Sequence, residues 1–202
     1  MDEIGLRERK RQRMYETVSE IAIRLFLERG YDAVSVAEIA AAAEISKPTL
    51  FRYFPAKEDL VFHRIADHED EAARVVREGR GAPLESLRQN FLEGVAQADP
   101  ITGVSDHPAV RAFYELLYGT PALVARMYVH LERSEEALAT ALGGDLDARL
   151  AAGQIIAVRR VLAQENWRRI GAGEPVDAVR AVALGDAERA FDLLEAALPR
   201  YS

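Results

Sequence analysis

The chain of 202 residues is 49% hydrophobic and 29% charged, carries a net charge of −7 and contains no cysteine. That is the profile of a soluble globular protein, and it excludes a disulfide framework or a thiolate metal site. No apolar run approaches the roughly 20 residues a membrane span needs, and the charged N-terminus lacks the apolar stretch of an export signal, so no membrane partner and a cytoplasmic location are expected.

The whole chain reads helical, because breakers recur at helix-length intervals and no run alternates with period 2. Arg7, Arg9, Lys10, Arg11 and Arg13 open it as a basic stretch opposed only by Glu8, while the acidic excess falls mostly after Val61. A chain that is acidic in sum can therefore still turn one basic edge to phosphates. From Met14 the apolar residues Val18, Ile21, Ala22, Leu25 and Phe26 follow the spacing of one buried helix face, and Gly30 ends it. Ser35 with Glu38 is a capping box for a second helix whose inner face is Val36, Ile39, Ala40 and Ala43. A turn from Ala43 to Ser46 leads to a third, short helix. Ser46 caps it, Lys47 and Pro48 lie in its first turn, Leu50 and Phe54 face inward, and Pro55 ends it.

Beyond this the spacing predicts a long helix from Lys57 to about Glu78, with Leu60, Val61 and Ile65 as anchors, then a break at Gly79, Gly81 and Pro83. Leu84, Leu87, Phe91 and Val95 mark the next helix, and Pro100 to Pro108 reads as the longest loop. Helices follow near Ala109–Tyr118, Pro121–Leu142, Asp145–Ile170 and Pro175–Leu198, about nine in all.

Two short helices around a tight turn, with polar side chains opening the second, are the parts of a helix-turn-helix. Its second helix enters the major groove with its N-terminal residues against base edges. Lys47 suits guanine O6 or N7, Thr49 a base edge or a thymine methyl, and Pro48 an apolar contact with such a methyl. Arg52 is the further polar side chain on this helix. Ser35, Tyr53 and Lys57 bracket it and suit phosphate oxygens, as do Arg7 and Arg11 of the basic stretch.

The string from Phe26 to Val61, FLERGYDAVSVAEIAAAAEISKPTLFRYFPAKEDLV, resembles the N-terminal domain of the tetracycline-repressor (TetR) family of regulators. The resemblance covers about the first third of the chain. It implies an all-α fold with a three-helix DNA-binding head, here residues 1–56, and a helical ligand-binding and dimerisation body, here 57–202. It places the family's base-reading segment on Lys47, Pro48 and Thr49, its aromatic backbone-contacting pair on Phe51 and Tyr53, and its phosphate-contacting lysine on Lys57. Two departures stand out. Glu44 occupies a turn position where the family often has glycine, which costs about 1–2 kcal/mol if the position is left-handed. Phe51 replaces a common tyrosine and so loses a hydroxyl contact.

The body is less explicit. Tyr114, Tyr118, Tyr128 and Trp167, with His63, Phe91, Arg111, Gln164 and Asn166, are candidates to line a ligand cavity, and ordinary core packing is the competing reading. No metal or other cofactor is expected: His63 and Asp67, with His68 nearby, have a spacing that any helix produces by chance. Leu150, Val158, Leu162, Val179, Val182, Ala183, Ala187, Phe191 and Leu194 form faces suited to a close helix bundle. The resemblance implies that these last two helices pair with their copies across a two-fold axis. The expected function is a DNA-binding regulator acting on a palindromic operator as a homodimer, a repressor released by an unknown small-molecule effector. A helical enzyme carrying a borrowed head is disfavoured because no catalytic constellation is present; a body that binds another protein remains the third reading.

Overall fold

The computed structural model describes residues 3–66 and 68–202, with the side chains of residues 3, 4, 6–8 and 64–66 outside the description. The expected roles of Arg7, Ile65 and Asp67 therefore lie outside the described residues. Among the described residues there are ten α-helices and no strand. They are α1 (Glu3–Arg29), α2 (Val36–Ala42), α3 (Lys47–Tyr53), α4 (Asp59–Ala66), α5 (Glu71–Glu78), α6 (Pro83–Ala96), α7 (Pro108–Gly119), α8 (Pro121–Ala141), α9 (Leu146–Gly171) and α10 (Val176–Ala197). Single 3-10 turns occupy Pro100–Thr102, within the expected long loop, and Pro199–Tyr201.

The extra helix arises where one long helix was expected from Lys57 to Glu78. The structure has two there, α4 and α5. No proline or glycine marks the break. Its residues are engaged instead by side-chain partners: Glu69 pairs with His130 of α8 and lies 3.5 Å from Arg133, and His68 bonds Glu71 at 2.7 Å.

The chain forms two compact units, residues 1–67 with 112–129, and residues 68–111 with 130–202. This division differs from the expected one at residue 56, because α4 and the α7–α8 segment share the core of the first unit. Val18, Ala22 and Phe26 of α1, Ile39 of α2, Leu50 of α3 and Leu60 and Phe62 of α4 are buried there together with Leu117 and Leu123. Ser19 Oγ donates to the Leu60 carbonyl at 2.7 Å inside that core, tying α1 to α4. Arg126 Nε donates to Asp59 Oδ1 at 2.7 Å, tying α8 to the start of α4.

In the second unit, Leu84, Leu87, Phe91 and Val95 of α6 pack with Ala148, Ala151, Ala152 and Ile155 of α9 and with α10. Small side chains on α9 and α10 allow close approach of the helices. This packing draws part of the expected dimer face into the unit's own core. Val179, Ala183, Ala187, Phe191 and Leu194 are buried in their own unit's core, and Val158 and Leu162 pack partly against it. Leu150 and Val182 stay exposed, joined by Leu146, Val161 and Leu193. Both faces of α10 carry apolar residues, and the inward one takes the larger contiguous set.

Candidate nucleic-acid interface

Each end of the α2–α3 unit is fixed by local hydrogen bonds. Ser35 Oγ accepts from Glu38 N at 3.2 Å and donates to Glu38 Oε2 at 2.7 Å, while the Ser35 N–H donates to the same oxygen at 2.8 Å. These bonds, led by that from the Ser35 backbone, and the neighbouring Arg29 lower the Glu38 carboxyl to about 2. At the other end of α2, Ile45 N donates to Ala40 O at 3.0 Å and Glu44 N to Ala41 O at 3.1 Å. This is the Schellman pattern, which requires a left-handed residue in the middle. Glu44 is that residue, with φ of 56°. Ser46 Oγ then accepts from Thr49 N at 3.2 Å and caps α3, with Pro48 in its first turn.

The result is a short helix with one face sealed and one face open. Leu50 is fully buried, whereas Lys47, Pro48, Phe51 and Arg52 are exposed and Thr49 is half-buried. Lys47 Nζ lies 5.8 Å from the centre of the Phe51 ring, and the Arg52 guanidinium 5.3 Å from that of Tyr53. Thr49 Oγ1 is 2.8 Å from Ser46 Oγ, so its hydroxyl is already oriented. Tyr53 is braced from behind by Tyr15, whose ring meets it edge-on at 5.1 Å, meets Phe54 edge-on at 5.2 Å and stacks on His63 at 4.8 Å. The sequence reading missed Tyr15; its one signal was an aromatic in register with the apolar face of α1.

The expected phosphate contacts fare unequally. Arg11 is exposed on α1 beside Arg9, Lys10 and Arg13. The Ser35 hydroxyl proton is spent on Glu38. Lys57 departs most from expectation: its ammonium donates to the Tyr31 carbonyl at 2.5 Å and sits 4.0 Å from the Tyr31 ring centre. Burial lowers its pKa, and the carbonyl and ring replace the solvation it gives up. It clamps the α1–α2 loop.

The family model for bacterial regulatory proteins of the tetR family matches residues 20–63. The chain is 33% identical over 180 residues to the HTH-type transcriptional regulator TcmR of Streptomyces glaucescens, covering 82% of this chain and 78% of that protein. The chain belongs to the tetracycline-repressor family of transcriptional regulators. Among solved TetR-family structures, a regulator from Streptomyces coelicolor A3 superposes with a TM-score of 0.60 at 22% identity, over 91% of this chain and 95% of that one. The transcriptional regulator FadR of Bacillus subtilis, solved with stearoyl-CoA, gives 0.54 at 17% identity over 88% and 97%. Both likenesses place the TetR fold over nearly the whole chain.

The ligand-cavity residues expected from the sequence are divided between the units of this TetR-family chain. His63 stacks on Tyr15 in the first unit, where Tyr114 and Tyr118 also stack on one another at 6.1 Å and Tyr128 is 52% exposed. In the second unit, Asn166 is buried and donates to the Thr102 carbonyl at 2.9 Å, Gln164 accepts from Arg160, and Arg111 and Trp167 are half-buried. Phe91 is the one of the nine that lines a cleft of about 110 Å³ in that unit, with Glu71, Asn90, Glu93, Asp99, Thr102 and Arg159 also on its walls. Arg159, missed in the sequence, is held there among acceptors: Nη2 lies 3.1 Å from Asn90 Oδ1 and 3.5 Å from Glu71 Oε1. Its signal was a charge in register with Ala152, Ile155, Asn166 and Ile170, all buried on α9. Among the described residues, no helix is long and apolar enough to cross a membrane.

Proposed function

We propose that this regulator is a cytoplasmic homodimer that represses transcription by reading a palindromic operator through α3, has no enzymatic activity, and leaves the DNA when a small molecule occupies its body. The observation that carries the DNA-reading part is the open face of α3. Lys47, Pro48, Phe51 and Arg52 project from a helix whose ends and inner face are fixed, so the readers are ordered before DNA arrives. Lys47, Pro48 and Thr49 are the proposed base readers. Phe51, Arg52, Tyr53 and the basic side of α1, including Arg11, are the proposed backbone contacts, whereas Ser35, its donors engaged by Glu38, acts as the cap of α2. Lys57 acts by holding the α1–α2 loop.

The exposed apolar residues Leu146, Leu150 and Val161 of α9 and Val182 and Leu193 of α10 support dimerisation on these helices. A two-fold arrangement would set the two reading helices about one DNA turn apart, roughly 34–36 Å. The effector part is supported by the cleft in the second unit and by a protein of the same fold having been solved with stearoyl-CoA. An effector releases the DNA only to the extent that it binds the DNA-incompetent conformation more tightly.

The test is binding of the purified protein to the DNA upstream of its own gene across a salt series. A sequence-specific complex whose affinity falls steeply with salt is expected. Equal affinity for that DNA and for random duplex at every salt concentration would sink the proposal.

A further inference from the structure

We infer that the cleft around Arg159 is a binding site for a small zwitterion, a carboxylate with an amine a few bonds away, such as a short amino acid. The decisive group is the Arg159 guanidinium. Its side chain is only 13% exposed, and Nη1 is buried with no hydrogen-bond acceptor. Nη2 is placed by Asn90 and Glu71, and the guanidinium carbon lies 6.0 Å from the Phe91 ring centre. A planar fork bonded through Nη2 and left without an acceptor at Nη1, on a residue that lines the cleft, is matched to a carboxylate oxygen.

The remaining charges decide what else the ligand must carry. Glu71 balances Arg159, and Glu93 and Asp99 leave the cleft walls negative. A simple anion meets that excess. A simple cation leaves Nη1 unanswered. A zwitterion answers both, with its carboxylate deep at Arg159 and its ammonium toward half-buried Asp99 and exposed Glu93. The volume of about 110 Å³ falls below the roughly 300–1,000 Å³ of drug-sized sites. It admits glycine, alanine or β-alanine. The wall formed by residues 99–102 is fixed in place, because Asn166 holds the Thr102 carbonyl and Gly103 lies directly against the α9 backbone at Ala163.

Binding in this cleft is independent of the effector reading above; only its consequence for DNA rests on that reading. The experiment is isothermal titration calorimetry of the full-length protein with glycine, L-alanine and β-alanine, alongside propionate and ethylamine. At least one zwitterion is expected to bind at least about tenfold tighter than either half-molecule. Glu93→Gln changes an exposed residue and leaves the fold intact, yet is expected to weaken zwitterion binding about tenfold. Arg159→Lys keeps the charge but not the fork and is expected to weaken it at least as much. The site is overturned if none of the three zwitterions binds, if propionate or ethylamine binds as tightly, or if Glu93→Gln binds like the parent protein. Operator binding, measured with and without the zwitterion, separates the two readings. A bound zwitterion that leaves operator affinity unchanged upholds the site and denies it the effector role. Release of operator by another compound, with no zwitterion bound, overturns the site and upholds the effector reading.

Discussion

Single residues in the α2–α3 unit carry opposite obligations to stability and to DNA. Glu44 holds a left-handed conformation without being glycine, so Glu44→Gly is expected to stabilise the protein by about 1 kcal/mol. A higher urea midpoint at unchanged slope is the check. Lys47 is exposed and Thr49 half-buried on α3, and their replacement by alanine should change stability little while relaxing sequence preference. Each change should cost about 1–3 kcal/mol of discrimination in competition against random duplex. Lys57→Ala should instead weaken binding to all sequences alike and lower the melting temperature, because the ammonium holds the Tyr31 carbonyl. Glu38 adds a pH dependence. Its carboxyl titrates near 2 when folded against an ordinary 4.5, so the stability it contributes is whole above 4.5 and is lost as pH falls toward 2. Thermal melts of the parent and Glu38→Gln should therefore differ at neutral pH and converge in acid; a difference that persists at pH 2 contradicts the assignment.

At the scale of helices, four of them (α2, α6, α8 and α9) end in the same pair of backbone hydrogen bonds. Gly143 and Gly173 occupy the left-handed position in two cases, and Glu44 and Ala98 in the others. The sequence announced the Gly30 stop and the serine caps at Ser35 and Ser46 because such signals act within four or five residues. That is why α2, α3 and their turn were legible in full. The break between α4 and α5 was not, because Glu69 finds its partner His130 some sixty residues away. Nor was the cleft, since an arginine on a buried stripe declares itself only once the stripe's facing helix is known. The loop from Asp99 to Gly103 is the element most exposed to a small change. A Cβ at Gly103 would lie 2.0 Å from the Ala163 carbonyl oxygen, and φ there is 77°. Gly103→Ala is expected to cost more than about 2 kcal/mol, seen as a lower melting temperature, because neither backbone can yield cheaply.

For the whole molecule, α9 and α10 show why a sequence identifies apolar helices more readily than which of their faces is buried. Phe191 and Leu193 are two positions apart and equally apolar, yet one is buried and the other 73% exposed. Leu150→Glu and Leu193→Glu should thus leave the helices folded and shift the protein to monomers in sedimentation velocity, with operator affinity falling in parallel. Unchanged sedimentation in both variants places the dimer elsewhere. The core of the first unit has a different consequence, one for inheritance. Leu117 and Leu123 belong to the same buried cluster as Phe26 and Leu50, although they are encoded far downstream of it. A recombination event that exchanged only the opening third of the gene would deliver reading helices without two of the side chains that fill their core. Successful transplants between relatives should carry both stretches, so the two parts of this unit are constrained to descend together.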